Sequence, residues 1–150
     1  MNLTTYPFER ENNELQFSFI SINSEGENRV IKIIAYDIIN KDKAIYYNLG
    51  FGDLNLETGE VDNESESNNG DMRKIFSTVV STLPYFFEVH PTKKVHLDGS
   101  SSIRKRYYHK LVRDYYERIK EHYLVEGCLD GKIELFVPGT EYDFILISLK

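Results

Sequence analysis

The pattern of apolar and polar residues predicts three strands in the first third of the chain. Phe17–Ser21 is rich in strand-forming residues, and Val30–Ile39 is a β-branched run. Ala44–Leu54 follows after the polar turn 40–43. Because short polar turns separate these segments, we expect an antiparallel meander in which Val30–Ile39 and Ala44–Leu54 pair as a hairpin.

Two helices are predicted in the middle of the chain, where apolar residues recur every three or four positions. The first helix begins near Met72, where Asn69 or Asp71 is placed to accept a hydrogen bond as its N-cap. Pro84 lies inside the apolar stripe and is expected to kink or end the helix. That stripe contains Ile75, Phe76, Val79, Val80, Leu83, Phe86 and Phe87.

The second helix follows a short strand, Lys94–Asp98, and the turn Gly99–Ser102, and it is expected to end at Gly127. Its stripe contains Ile103, Tyr107, Leu111, Tyr115 and Ile119, with Tyr108 and Val112 beside it. From the two helices together, the predicted core residues are Ile75, Val79, Leu111 and Ile119.

Two further strands, Ile133–Val137 and Tyr142–Leu149, are predicted near the end of the chain. The resulting order, β-β-β-α-β-α-β-β, predicts an α+β fold with a mostly antiparallel sheet packed by two main helices. A length of 150 residues suits one domain that spans residues 1–150. Segment 55–70 is acidic and poor in apolar residues, so we expect it to be a flexible loop and the least ordered part of the chain.

Charge is distributed unevenly along the chain, whose formal net charge is −6. Residues 1–70 carry a net charge of −8, residues 71–125 carry +5 and residues 126–150 carry −3. A basic segment in an acidic protein indicates one face that can receive an anion, whereas the whole molecule repels nucleic acid. The alternative is that the basic residues are the solvated side of one helix.

The composition also predicts where the protein works. No segment approaches the roughly 20 apolar residues that a membrane span needs, and the N-terminus lacks the basic-then-apolar order of a signal peptide. The single cysteine, Cys128, excludes an internal disulfide. We therefore expect a cytoplasmic protein whose partners include neither a membrane nor nucleic acid.

The most site-like stretch is the predicted turn into the second helix. Its candidate anion-binding residues are Gly99, Ser100, Ser101, Ser102, Arg104 and Arg106. A helix N-terminus offers unpaired N–H groups and partial positive charge, serines add hydroxyl donors, and arginines add full charge. We expect a phosphate, a pyrophosphate or a carboxylate to bind there. The alternative is that one serine is only the N-cap and that the arginines are solvated or pair with acids of the same chain.

Other polar residues carry weaker signals. Lys105, Lys110 and Arg113 would extend the positive zone only on the arginines' face, and their spacing predicts that they scatter around the helix. The histidines, at positions 90, 96, 109 and 122, lack metal-ligand spacing, so no metal site is predicted and most are expected to face solvent. His96 and Asp98 alternate on a strand and are candidates to meet.

Three stretches together resemble a family of small bacterial proteins of unknown function. They are Tyr47–Asp53 (YNLGFGD, in the pattern YNLxFGD), Ser67–Asp71 (SNNGD) and Gly99–Tyr108 (the pattern GSxxxRxRxY). The resemblance spans nearly the whole chain and brings no activity with it.

The order of elements also resembles, more distantly, the GNAT acyltransferase superfamily. In that superfamily a glycine-containing loop before a helix cradles the pyrophosphate of coenzyme A. The corresponding stretch here, Ser67–Met72, keeps Gly70 and has Asp71 where an anion would be repelled. The superfamily's tyrosine acid is similar in placement to Tyr108. The resemblance thus implies coenzyme A as cofactor, Gly70 as a cofactor contact and Tyr108 as the catalytic acid.

Two functions are compatible with these observations. The first is an acyltransferase-like protein that binds an acyl-coenzyme A or another phosphate-bearing ligand at Gly99–Ser102, with Tyr108 as general acid. The second is a non-enzymatic binding module on the same scaffold, which recognises a small anionic ligand or a protein partner. The degenerate phosphate loop favours the second function, and the serines and arginines at the helix start favour the first.

Overall fold

The computed structural model describes residues 4–22, 26, 29–62, 71–98 and 102–150, and for Asp62, Ile103 and Arg104 it describes the backbone alone. In these ranges the strands are β1 (Glu9–Glu11), β2 (Gln16–Ile22), β3 (Arg29–Lys41), β4 (Ala44–Leu54), β5 (Val61–Asp62), β6 (Val95–Leu97), β7 (Tyr123–Leu129), β8 (Lys132–Leu135) and β9 (Phe144–Leu149). The helices are α1 (Met72–Ser81), α2 (Leu83–Val89) and α3 (Ser102–Ile119).

The hydrogen-bonded strands follow the order β1-β2-β3-β4-β6-β9-β7-β8, and β5 pairs with β4. The described registers are antiparallel except that of β4 with β6, which is parallel. The predicted α+β fold with a mostly antiparallel sheet is therefore confirmed. The chain forms two compact units, the first from Met1–Tyr36 and Gly50–Val89, the second from Asp37–Leu49 and His90–Lys150. That residues 1–150 form a single domain stays a prediction.

The predicted hairpin is formed by β3 and β4, which are hydrogen-bonded neighbours. Its two turn residues, Asp42 and Lys43, have φ values of 51° and 67°. Two consecutive residues in the left-handed region are typical of the tight turn whose twist matches that of the flanking strands. The β-branched run of β3 thus pairs with the strand that the sequence places beside it.

In the first unit, α1 and α2 together replace the single helix predicted over the first apolar stripe. Helix α1 ends before Thr82, and α2 starts at Leu83, so that Pro84 lies in the first turn of a new helix. A proline is tolerated there because the N–H groups of a first turn have no partner within the helix. Ile75 and Val79 are buried, as predicted.

Asp71 occupies the N-cap position of α1, but its side chain makes no capping hydrogen bond, contrary to expectation. Its Oδ2 instead accepts hydrogen bonds from the Tyr6 hydroxyl and from Ser21 Oγ. Burial, and then the hydrogen bond to Asp71, raise the pKa of Tyr6 above its ordinary value. Asn69, the other predicted cap, lies outside the described residues.

In the second unit, the prediction that the last helix ends at Gly127 is wrong. Helix α3 ends at Ile119, and Gly127 lies within β7, which pairs with both β8 and β9. The ring of Tyr142 packs so closely against Gly127 that a Cβ at this position would overlap it. The glycine therefore permits close packing inside a strand instead of terminating a helix. Leu111 and Ile119 are buried, as predicted.

Part of the predicted acidic loop is ordered into local structure. Asn55 Oδ1 accepts hydrogen bonds from the backbone N–H groups of Glu57 and Thr58, which closes a turn. The chain then returns to pair Val61 with Leu54. Residues 63–70 lie outside the described residues, so the expectation that 55–70 is the least ordered segment stays a prediction.

Candidate functional site

One side of α3 lines a pocket with a volume of about 650 Å³ in the second unit. The lining residues that α3 contributes are Ser102, Lys105, Arg106, His109, Lys110 and Arg113. The prediction that Lys105, Lys110 and Arg113 scatter around the helix is wrong. The set contains many pairs that are three or four residues apart, and a helix of 3.6 residues per turn brings such positions to one side.

The opposite wall of the pocket comes from the segment between β8 and β9. Its lining residues are Phe136, Gly139, Thr140, Glu141, Tyr142 and Asp143. Phe136 and Tyr142 are both largely buried, and their rings lie 5.6 Å apart. Because Tyr142 also packs against Gly127 of β7, this wall is anchored to the sheet.

His109 joins the two walls by hydrogen bonds at both ring nitrogens. Its Nδ1–H donates to the carbonyl of Lys105 at 2.8 Å, and its Nε2 accepts the backbone N–H of Tyr142 at 2.9 Å. A carbonyl only accepts and an amide N–H only donates, so these two bonds assign the neutral Nδ1–H tautomer. The ring therefore holds the pocket's second wall against α3.

The cations of the pocket differ in how they are paired. Lys110 Nζ lies 2.6 Å from Asp114 Oδ2, and Arg113 Nε lies 3.6 Å from Asp114 Oδ1. No ion pair within the described ranges involves Lys105 or Arg106. Lys105 is half-buried and Arg106 is exposed. Two positive side chains are thus available to an anion that enters the pocket.

The predicted anion-binding residues are brought together in part. Ser102, the first residue of α3, and Arg106 both line the pocket. The other predicted contacts, Gly70, Gly99, Ser100, Ser101 and the side chain of Arg104, lie outside the described residues. Tyr108 is 4% exposed and is not among the residues that line the pocket, and its role as general acid stays a prediction.

A second polar cluster of the same unit surrounds His96, which is 2% exposed. His96 is therefore not one of the histidines that face solvent, as most were expected to do. The imidazole packs against the rings of Tyr46 and Phe144, with centroid separations of 5.7 and 4.7 Å, and those two rings also contact each other, at 6.3 Å. Its Nδ1–H donates to Asn48 Oδ1 at 3.0 Å, and Lys41 Nζ lies 3.5 Å from Nε2. We refer to His96, Asn48, Lys41, Tyr46 and Phe144 as the His96 cluster.

The electrostatics of the His96 cluster favour a neutral imidazole. Burial, and then the charge of Lys41, lower the pKa of His96 from its ordinary 6.5 to about 4. Asp98, which was a candidate to meet His96, instead pairs with Lys41 at 3.5 Å. Lys41 Nζ also lies 4.2 Å from the centroid of the Phe144 ring, as in a cation–π contact. The two nitrogens of the imidazole thus face Asn48 and Lys41, and Lys41 is itself held by Asp98 and Phe144.

Among the described residues, the His, Cys, Asp and Glu side chains form no metal site. In the part of the chain that the structure describes, no three His, Cys, Asp or Glu side chains come close enough to hold a metal ion. Cys128 is buried against Phe144, Leu146 and Tyr46. None of the helices in the described ranges combines the length and apolar character that crossing a membrane requires.

Comparison with known proteins identifies the chain at the level of a family. Neither the curated proteins nor the solved structures contain a match. A family model described as a family of unknown function, DUF6934, matches residues 2–150, which is nearly the whole chain. The expected membership of a family of unknown function is thereby confirmed, while the bacterial source and the short signature patterns stay predictions. The chain belongs to the DUF6934 family.

Proposed function

We propose that this protein binds a small phosphate-bearing molecule in the basic pocket of α3. The observation that carries the proposal is that Lys105 and Arg106 line the pocket and that no ion pair within the described ranges involves either of them. A phosphate group would accept charge-assisted hydrogen bonds from both, and Arg106 can offer two parallel donors.

The pocket also suits the rest of such a ligand. Phe136 and Tyr142 contribute aromatic surface to a wall opposite the cations. A cavity of about 650 Å³ falls within the range that holds cofactor-sized molecules. Ser102 adds a hydroxyl at the N-terminal end of α3, next to the predicted turn. A phosphate at the cationic wall would therefore leave the apolar part of the ligand in contact with the aromatic side chains.

The narrower form of the proposal is an acyltransferase-like protein whose ligand is an acyl-coenzyme A. Without the short strands β1, β5 and β8, the order of elements is three strands, the α1–α2 pair, β6, α3, β7 and β9. This order supports a GNAT-like scaffold, although fold likeness carries little weight for activity. Tyr108 would be the general acid in this form, and Gly70 would contribute to the cofactor loop.

The second candidate is a binding module without catalysis. The burial of Tyr108, at 4% exposure, favours it, because a general acid must reach the atom that it protonates. Both candidates share the anion-binding pocket and differ only in turnover. An assay that detects free thiol released from acetyl-coenzyme A in the presence of amine acceptors distinguishes them, since only the acyltransferase releases thiol.

Thermal unfolding and calorimetry with inorganic phosphate, pyrophosphate, ADP and coenzyme A test the shared proposal. A ligand at about 100 times its Kd stabilises the folded state by about 2.7 kcal/mol. Arg106→Ala should weaken binding about tenfold, because it removes a charged donor. The matched control is Lys93→Ala, which removes one exposed positive charge at a residue that does not line the pocket. Equal binding by both variants, or no binding of any probe, would contradict the proposal.

A further inference from the structure

The two walls of the basic pocket carry opposite charges. Helix α3 contributes Lys105 and Arg106, and the facing segment contributes Glu141 and Asp143. Opposite charges that line one cavity usually pair directly when they can reach each other. Within the described residues, however, no ion pair joins α3 to the segment 136–143.

The hydrogen bonds of His109 fix the position of the facing segment relative to α3. Its ring is bonded to Lys105 on one side and to Tyr142 on the other. Tyr142 in turn packs on Gly127, and its Oη accepts the N–H of Val137 in the same wall at 3.0 Å. These contacts hold the wall in place beside α3.

The two acids differ in their availability. Asp143 Oδ2 accepts the N–H of Asp130 at 3.0 Å, and the N–H of Asp143 donates to the carbonyl of Cys128 at 2.7 Å. Asp143 thus helps to fix the turn between β7 and β8. No ion pair within the described ranges involves Glu141, which is exposed. Glu141 is therefore the acid of this wall that can form an ion pair with a ligand.

We propose that the ligand of this pocket carries a protonated amine as well as a phosphate, with the phosphate at Lys105 and Arg106 and the amine at Glu141. The inference rests on the proposed function, because it places the amine by reference to the phosphate. Glu141 would repel a ligand that is only anionic and attract one that also bears a positive charge. The pocket thereby selects zwitterionic phosphates over simple phosphate esters.

Calorimetric titration with two matched series of probes tests the inference. One series is ω-aminoalkyl phosphates of increasing chain length, and the other is alkyl phosphates of the same lengths. We expect the best aminoalkyl phosphate to bind about tenfold more tightly than its alkyl counterpart, as for one charge-assisted contact. Glu141→Gln should abolish this preference, while Glu134→Gln, an equal change at an exposed acid of β8 that does not line the pocket, should preserve it.

The outcomes separate the inference from the function on which it rests. If alkyl and aminoalkyl phosphates bind equally and both depend on Arg106, the amine assignment is overturned and phosphate binding stands. If the preference persists in Glu141→Gln, the amine does not bind at Glu141 and the inference fails. If neither series binds, and inorganic phosphate and pyrophosphate also fail to bind, both proposals are overturned.

Discussion

The second unit contains two polar regions that differ in how far their polar groups are buried and paired. In the His96 cluster, a nearly inaccessible imidazole packs against two aromatic rings and has a polar neighbour at each nitrogen. In the basic pocket, Arg106 is exposed beside an open cavity and takes part in no ion pair within the described ranges.

This difference indicates that the His96 cluster contributes to stability and that the basic pocket contributes to ligand binding. A buried polar group costs free energy unless it is hydrogen-bonded, so the His96 cluster must be satisfied for the chain to fold. An exposed cation costs little and retains its capacity for a ligand. Its lowered pKa and its burial would make His96 a candidate functional residue, but at 2% exposure the imidazole is nearly inaccessible to a substrate. The pocket is the better candidate.

Replacement of His96 by Ala should produce the largest loss of stability. It removes a buried ring packed against Tyr46 and Phe144 and leaves Asn48 without its partner, so we expect a loss of about 4 kcal/mol in the free energy of unfolding. Urea denaturation measures it. The control is His122→Ala, at an exposed histidine, with an expected change below about 0.5 kcal/mol. A loss below about 1 kcal/mol at His96 would show that the cluster is not a packed unit.

The protonation of His96 should also make the stability of the protein depend on pH. The pKa of His96 is about 4 in the folded protein and 6.5 ordinarily, so the unfolded chain binds the proton more readily between these values. Stability should therefore fall by about 3 kcal/mol as the pH drops from 6.5 through 4, and this contribution should level off below about pH 3. Lys41 opposes protonation and Asp98 favours it.

The His96 contribution can be separated from that of the carboxylates by comparison with His96→Leu. Denaturation midpoints of both proteins are measured from pH 7.5 to pH 4. We expect a shallower slope for the variant, because its side chain does not titrate. Parallel slopes for the two proteins would mean that His96 does not carry the expected difference in pKa between the folded and unfolded states.

A smaller effect is expected at Asn48. Asn48→Ala removes the acceptor of the Nδ1–H of His96 and leaves a buried donor without a partner, which costs about 1–2 kcal/mol. Asn48→Asp restores an acceptor and adds a charge that favours the imidazolium, so it should raise the pKa of His96. Histidine NMR titration measures that pKa, and an unchanged value in the aspartate variant would argue against the Asn48–His96 contact.

The smallest effect on stability is expected in the pocket. Arg106→Ala and Lys105→Ala should each change the free energy of unfolding by less than about 0.5 kcal/mol, because no ion pair in the described ranges is lost. The same variants should weaken phosphate binding, as proposed above. A loss of stability comparable to that of His96→Ala would instead indicate that these cations belong to the folded core and would remove the contrast between the two regions.

Local features of the fold could be predicted from the sequence because their causes are local. The turn at Asp42 and Lys43 connects two segments rich in strand-forming residues. Pro84 divides the apolar stripe into two helices, because a proline cannot continue a helix from the preceding turn. The burial of Ile75 and Leu111 follows from helical spacing. In contrast, Gly127 resembles a helix end in the sequence, and only its pairing with β8 and β9 shows that it belongs to a strand.

The sequence by itself determined the α+β class, the β3–β4 hairpin, the position of α1 and a basic helix with Ser102 and Arg106 near its start. The tertiary structure decided the rest. His96 becomes a buried neutral imidazole because Phe144 and Lys41, distant along the chain, pack beside it. The basic side of α3 becomes a pocket only when the segment 136–143 supplies the second wall. Both outcomes depend on contacts between residues far apart in sequence, which no local pattern of residues specifies.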